Sequence, residues 1–118
     1  MEKVVVQRMR VEHLDAFTLA KRYYNILSSV NDLALTSREI EVAAFTAVKG
    51  ELSGNDTRKE FCERFNSTTA TLNNTVSRLK GKHILVKEKG KIKINPRLVI
   101  NFDLDVVLTI KLLHEDGK

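Results

Sequence analysis

Apolar residues along the chain change spacing several times, and each change marks a structural boundary. From Lys3 to Val11 the β-branched run Val4-Val5-Val6 leads into Met9 and Val11, which alternate with Arg8, Arg10 and Glu12. Period two predicts a strand. From Glu12 to Val30 the apolar residues Leu14, Phe17, Leu19, Ala20, Tyr23, Tyr24, Ile26, Leu27 and Val30 recur at three- and four-residue steps, which predicts a leading helix with one buried face. Thr36 followed three residues later by Glu39 is a capping box, in which each side chain satisfies a backbone amide left free at a helix start. A helix is therefore expected over Ser37–Lys49, with Ile40, Ala43, Ala44, Ala47 and Val48 on one face and Gly50 as its stop.

The stretch from Gly50 to Asp56 has the most loop-like composition in the chain. Thr57 with Glu60 repeats the capping-box spacing and predicts a short helix over Arg58–Phe65, with Phe61, Cys62 and Phe65 facing inward. Asn66 and Ser67 supply a break and a cap, and a third helix follows over Thr68–Lys80, burying Leu72, Val76 and Leu79. Ser67, Ala70, Thr71, Asn74, Ser77 and Arg78 point away from that stripe, so the outer face is small and uncharged apart from one arginine. Beyond Gly81 the spacing returns to two, with Ile84 and Val86 before a Lys-Glu-Lys-Gly turn and Ile92 and Ile94 after it, the pattern of a hairpin. Asn95-Pro96 ends it, because proline cannot donate to the ladder. From Val99 to Leu113 the chain is apolar and β-branched again, and strand and helix both fit.

These elements define an α+β chain, expected to form one domain over residues 1–118. Residues 1–34 hold the N-terminal strand and leading helix, 35–97 the capped helices and hairpin, and 98–118 a C-terminal strand or helix. Two short helices joined by a tight break and followed by a two-stranded hairpin are the parts of a winged helix-turn-helix, flanked here by two predicted strands.

Charge sharpens this picture because it is so uneven. Between Lys80 and Arg97 seven basic residues face one acid, whereas the other hundred residues carry 13 basic and 14 acidic side chains. The net charge of +5 thus belongs to the segment expected to form the wing. Concentrated positive charge attracts polyanions or acidic protein surfaces, although a lysine-rich hairpin can also be a solvated, edge-protected one. The chain is 42% hydrophobic and 30% charged with one proline, the composition of a folded protein.

From Leu35 to Asn95 the sequence resembles the winged-helix domains of MarR-type regulators, in which a segment like Thr75-Val76-Ser77-Arg78-Leu79-Lys80 leads into a wing. Leu35-Thr36-Ser37-Arg38-Glu39-Ile40-Glu41-Val42 is similar to the opening of LuxR-type helix-turn-helix domains, from which the loop at Glu51–Asn55 and the wing depart. The wing exit Ile94-Asn95-Pro96-Arg97-Leu98 resembles that of winged-helix replication initiators of plasmids and phages. These resemblances imply a prokaryotic or phage regulator of transcription or replication that binds double-stranded DNA. They put the third helix in the major groove, with Ser67, Thr71, Asn74 and Arg78 among the contacting residues and Thr71, Asn74 and Arg78 nearest the base edges. Lys80, Lys82, Lys87, Lys89, Lys91 and Lys93 would neutralise phosphates.

A second expectation comes from the flanks. The N-terminal strand and C-terminal apolar segment can pair with each other or between subunits, and a homo-oligomer is expected. Pairing between subunits would suit an oligomeric virion or connector protein of a phage that uses the winged helix for protein contacts. Phe17, Tyr23 and Tyr24 either form a dimer surface or lie beneath the chain's own winged helix. An enzyme is not expected: His13, His83 and His114 have no nucleophile or carboxylate at a motif spacing, and no phosphate-cradling glycine loop occurs. Asp103 and Asp105 lack a third ligand nearby, so neither metal nor cofactor is expected. One cysteine, no signal-like start and no long apolar run predict a cytoplasmic location, or a virion under the second expectation, and no membrane contact.

Overall fold

A computed structural model describes residues 15–98, which form four α-helices and one two-stranded antiparallel hairpin, an α+β arrangement. The strand expected at residues 3–11 and the segment 99–113 lie outside the described residues.

Helix α1 (Ala16–Val30) starts at Ala16 instead of Glu12, because the Asp15 carboxylate accepts the Thr18 amide at 2.7 Å and caps it. Its inward face is Phe17, Ala20, Tyr24 and Ser28. Phe17 and Tyr24 are 8% and 0% exposed and lie beneath the chain's own helices, while Tyr23 is half-buried. Ile26 and Val30, placed by periodicity on the buried face, are exposed.

The capping box predicted for α2 (Ser37–Lys49) is formed, with Thr36 Oγ1 accepting the Glu39 amide and Glu39 Oε1 accepting the Thr36 amide at 2.8 Å. Every residue from Val42 to Thr46 is buried. A helix buried all round has neighbours on all sides, and α2 packs against α1, the two later helices and the hairpin. Thr46 satisfies its own hydroxyl by donating to the Val42 carbonyl at 2.7 Å. Val48 is exposed, contrary to its predicted position on the inner face.

Helix α3 (Asn55–Arg64) begins earlier than the sequence pattern suggested, and the predicted Thr57–Glu60 capping box is not formed. Its N-cap is Gly54, which offers no side chain, and Thr57 lies within the first turns. The preceding segment fixes this start. Leu52 donates its amide to the Ile92 carbonyl at 2.9 Å, Ser53 Oγ accepts the Ile92 amide, and Arg58 Nη1 reaches back to the Leu52 carbonyl at 3.1 Å. The loop thus runs over residues 50–54 along the edge of the hairpin, two residues short of its expected end at Asp56, and α3 starts at Asn55.

The break between α3 and α4 (Thr69–Gly81) is a Schellman motif. Asn66 adopts φ +50°, and the Ser67 amide donates back to the Cys62 carbonyl at 2.9 Å. Thr68, not Ser67, caps α4, its hydroxyl accepting the Thr71 amide at 3.2 Å. His83 (φ +63°) ends α4 the same way, with the Ile84 amide on the Leu79 carbonyl at 3.0 Å.

Strands β1 (Leu85–Glu88) and β2 (Lys91–Ile94) pair Leu85 with Ile94 and Glu88 with Lys91. Lys89 and Gly90 both have positive φ, as a two-residue primed turn requires. Leu85 and Ile94 face the core, whereas Val86, predicted inward, is half-buried. Ile84 is buried as part of the α4 terminus, which displaces the inward register by one residue. The core is centred on Phe45 and Phe61, with rings 5.3 Å apart edge to face, and Phe65 lies 4.6 Å from Phe61.

Candidate nucleic-acid interface

Burying Leu72, Thr75, Val76 and Leu79 turns the opposite side of α4 to solvent. Of the face expected from the sequence, Ala70, Thr71, Asn74, Ser77 and Arg78 are exposed on α4, and Asn73 and Lys80 are exposed beside them. These side chains are not equally available. Thr71 takes part in the cap, its Oγ1 accepting from the Thr68 hydroxyl at 3.0 Å. Asn73 Oδ1 accepts from Arg58 Nη2, which pins α4 to α3. Asn74 makes no side-chain hydrogen bond among the described residues.

Ser67, also expected among the contacting residues, is placed differently from the α4 face. It lies in the turn, half-buried, with a buried hydroxyl that lacks a hydrogen-bond partner. It borders a shallow depression of ≈ 290 Å³ between α3 and the start of α4, which Arg58, Lys59 and Cys62 also line. Cys62 is therefore partly exposed and not the buried hydrophobe expected from its neighbours.

The lysines divide into two groups. Lys82, assigned by resemblance to a phosphate, turns inward, its Nζ 3.3 Å from Glu39 Oε1 and 3.2 Å from the Ala34 carbonyl. The reason is Glu39, a 1% exposed carboxylate that needs a compensating cation. Lys80, Lys87, Lys89 and Lys91 are exposed, and Lys93 is half-buried. In the hairpin register Lys93 lies opposite Val86 and Lys91 opposite Glu88, so these four share one face. Lys87 pairs with Ile92 on the same face as Leu85 and Ile94, so the five hairpin and helix-end lysines do not form one flat sheet of charge.

Glu39 is the residue whose second role the sequence concealed. Its spacing from Thr36 marks it as half of a capping box, but nothing in that spacing shows that its carboxylate also meets the end of α4. Arg78 Nε lies 3.9 Å from Oε2, and Arg78 Nη2 donates to Thr75 Oγ1 at 3.3 Å. Burial pushes the Glu39 carboxyl up, but hydrogen bonds from Thr36 and Lys82 and the Lys82 charge outweigh it and hold the group below its ordinary value. Arg58 was likewise unmarked by any motif.

Among the described residues no three His, Cys, Asp or Glu side chains cluster to hold a metal ion, and no helix is long and apolar enough to cross a membrane. Comparison with known protein families, with characterised proteins and with solved structures finds no match to this chain.

Proposed function

We propose that the chain is a winged helix-turn-helix protein that binds duplex DNA, with α4 in the major groove and the β1–β2 hairpin as a wing along the phosphate backbone. One juxtaposition carries this reading: an exposed α4 face of small polar side chains, with Arg78 as its charged member, is followed directly by a hairpin rich in exposed lysines and holding one acid, Glu88. A charge-poor face can approach base edges closely without binding phosphates indiscriminately, and lysines nearby supply the sequence-independent attraction. The phosphate-contacting set is Lys80, Lys87, Lys89, Lys91 and Lys93. Lys82 is left out because its ammonium group is engaged with Glu39.

Fluorescence anisotropy with a labelled mixed-sequence duplex, titrated from low to moderate salt, tests the proposal. Affinity should fall steeply as salt rises, and changing Lys89, Lys91 and Lys93 together to Gln should make the log–log slope shallower by about 2–3. Binding that is independent of salt, or none at low salt, refutes it.

A further inference from the structure

We infer that α4 reads two specific purines, adenine through Asn74 and guanine through Arg78, and that buried Glu39 is the positioning residue for Arg78; this rests on the duplex-DNA proposal above. At 100° per residue, Ala70, Asn74, Ser77 and Gly81 occupy the middle of the face opposite Leu72, Val76 and Leu79. Ala70 and Gly81 carry no polar side-chain group, and Ser77 is short, so Asn74 is the residue there with both reach and hydrogen-bonding capacity. Its chemically identical neighbour Asn73 is occupied by Arg58, whose other nitrogen is anchored on the Leu52 carbonyl. An unengaged carboxamide offers one acceptor and one donor side by side, the complement of adenine N6 and N7 in the major groove.

Arg78 lies one turn further along, about 6 Å up the helix axis, against a rise of about 3.4 Å per base. The two purines are therefore adjacent or separated by one base pair. The inner edge of the guanidinium is already engaged, with Nε facing Glu39 Oε2 at 3.9 Å and Nη2 on Thr75 Oγ1 at 3.3 Å. That leaves the Nη1–Nη2 end of the fork for a ligand, on a side chain that is 54% exposed. Two parallel donors match guanine O6 and N7. Glu39 Oε2 is buried with no hydrogen bond of its own, and Lys82 holds the other carboxylate oxygen, so the group that steers Arg78 is itself fixed.

The experiment is selection of a randomised duplex library by the wild-type chain and by Asn74→Ala, Arg78→Lys and Glu39→Gln, with mixed-sequence affinity and a thermal melt measured for each. Wild type should enrich an adenine and a guanine no more than two positions apart. Asn74→Ala should lower the adenine preference about tenfold and leave the guanine. Arg78→Lys keeps the charge and should keep mixed-sequence affinity within a few-fold while the guanine preference collapses. Glu39→Gln, selected below its melting temperature, should weaken the guanine preference and spare the adenine, a pattern that general destabilisation would not produce. Selection with both preferences intact in Asn74→Ala and Arg78→Lys overturns the base assignment while leaving DNA binding in place. An undiminished guanine preference in Glu39→Gln overturns the positioning role. A wild-type chain that binds no duplex overturns the inference together with the proposed function.

Discussion

Replacing Glu39 with Gln removes one buried charge while preserving the shape of the side chain. The carboxylate is 1% exposed, with Lys82 Nζ at 3.3 Å, Arg78 Nε at 3.9 Å and the Thr36 amide on Oε1 at 2.8 Å. Gln still accepts from Thr36, so the α2 cap survives. The charge on the Lys82 bond is lost. A hydrogen bond between charged groups contributes about 1.5–3 kcal/mol against about 1 for a neutral one, and part of the difference is offset because a carboxylate no longer has to be desolvated. A net loss of about 1–2 kcal/mol follows, or about 5–10 °C in Tm for a domain of this size.

The pH dependence identifies the cause. The Glu39 carboxyl is held below its ordinary value of 4.5, so the folded chain binds fewer protons than the unfolded one across that range. Its contribution is complete above the unfolded value and is lost as the pH falls through the lower folded value. Urea denaturation of both proteins from pH 7 down to pH 3 should therefore show a deficit for Glu39→Gln that is largest at neutral pH and closes on acidification. Equal stability at pH 7 would show that desolvation cancels the pairing, and a deficit unchanged by pH would show that the Glu39 charge is not its source; either result overturns the prediction.

Other substitutions separate structural from interfacial roles. Phe61→Ala, at a fully buried ring packed on Phe45 and Phe65, should cost about 3–5 kcal/mol in urea denaturation. Gly90→Ala forces a side chain to φ +78° in the hairpin turn and should cost about 1 kcal/mol, with nothing within 4 Å to clash. Lys82→Met should destabilise the fold by more than about 1 kcal/mol, because Glu39 would keep only a distant cation. Lys80→Met, on an exposed side chain, should leave the melt unchanged and lower duplex affinity at low salt.

What the sequence disclosed depended on how local each feature is. The Thr36–Glu39 cap was legible because both partners lie in one turn, and the Lys82 bond to Glu39 Oε1 leaves the Thr36 amide on that oxygen. The same spacing at Thr57–Glu60 misled, since Ile92, about forty residues away, fixes Leu52 through the backbone and Ser53 through its hydroxyl, and α3 begins before Thr57 is reached. Helix ends were obscured because Asn66 and His83 take the left-handed position usually given to glycine, whereas Gly81 stays within α4. The outer face of α4 was visible from its periodicity. Availability within that face was not, because Arg58 selects Asn73, and Glu39 selects Lys82 over its neighbours, through contacts 15 and 43 residues apart.

Two-dimensional amide NMR of the chain titrated with a mixed-sequence duplex shows whether α4 and the hairpin meet DNA together. Shifts should concentrate at Ala70, Asn74, Ser77 and Arg78 of α4 and at Lys87–Lys93 of the hairpin, and should fade as salt is raised. Shifts confined to α1, around Ile26 and Val30, or none at saturating duplex, would show that α4 and the hairpin do not form a DNA interface.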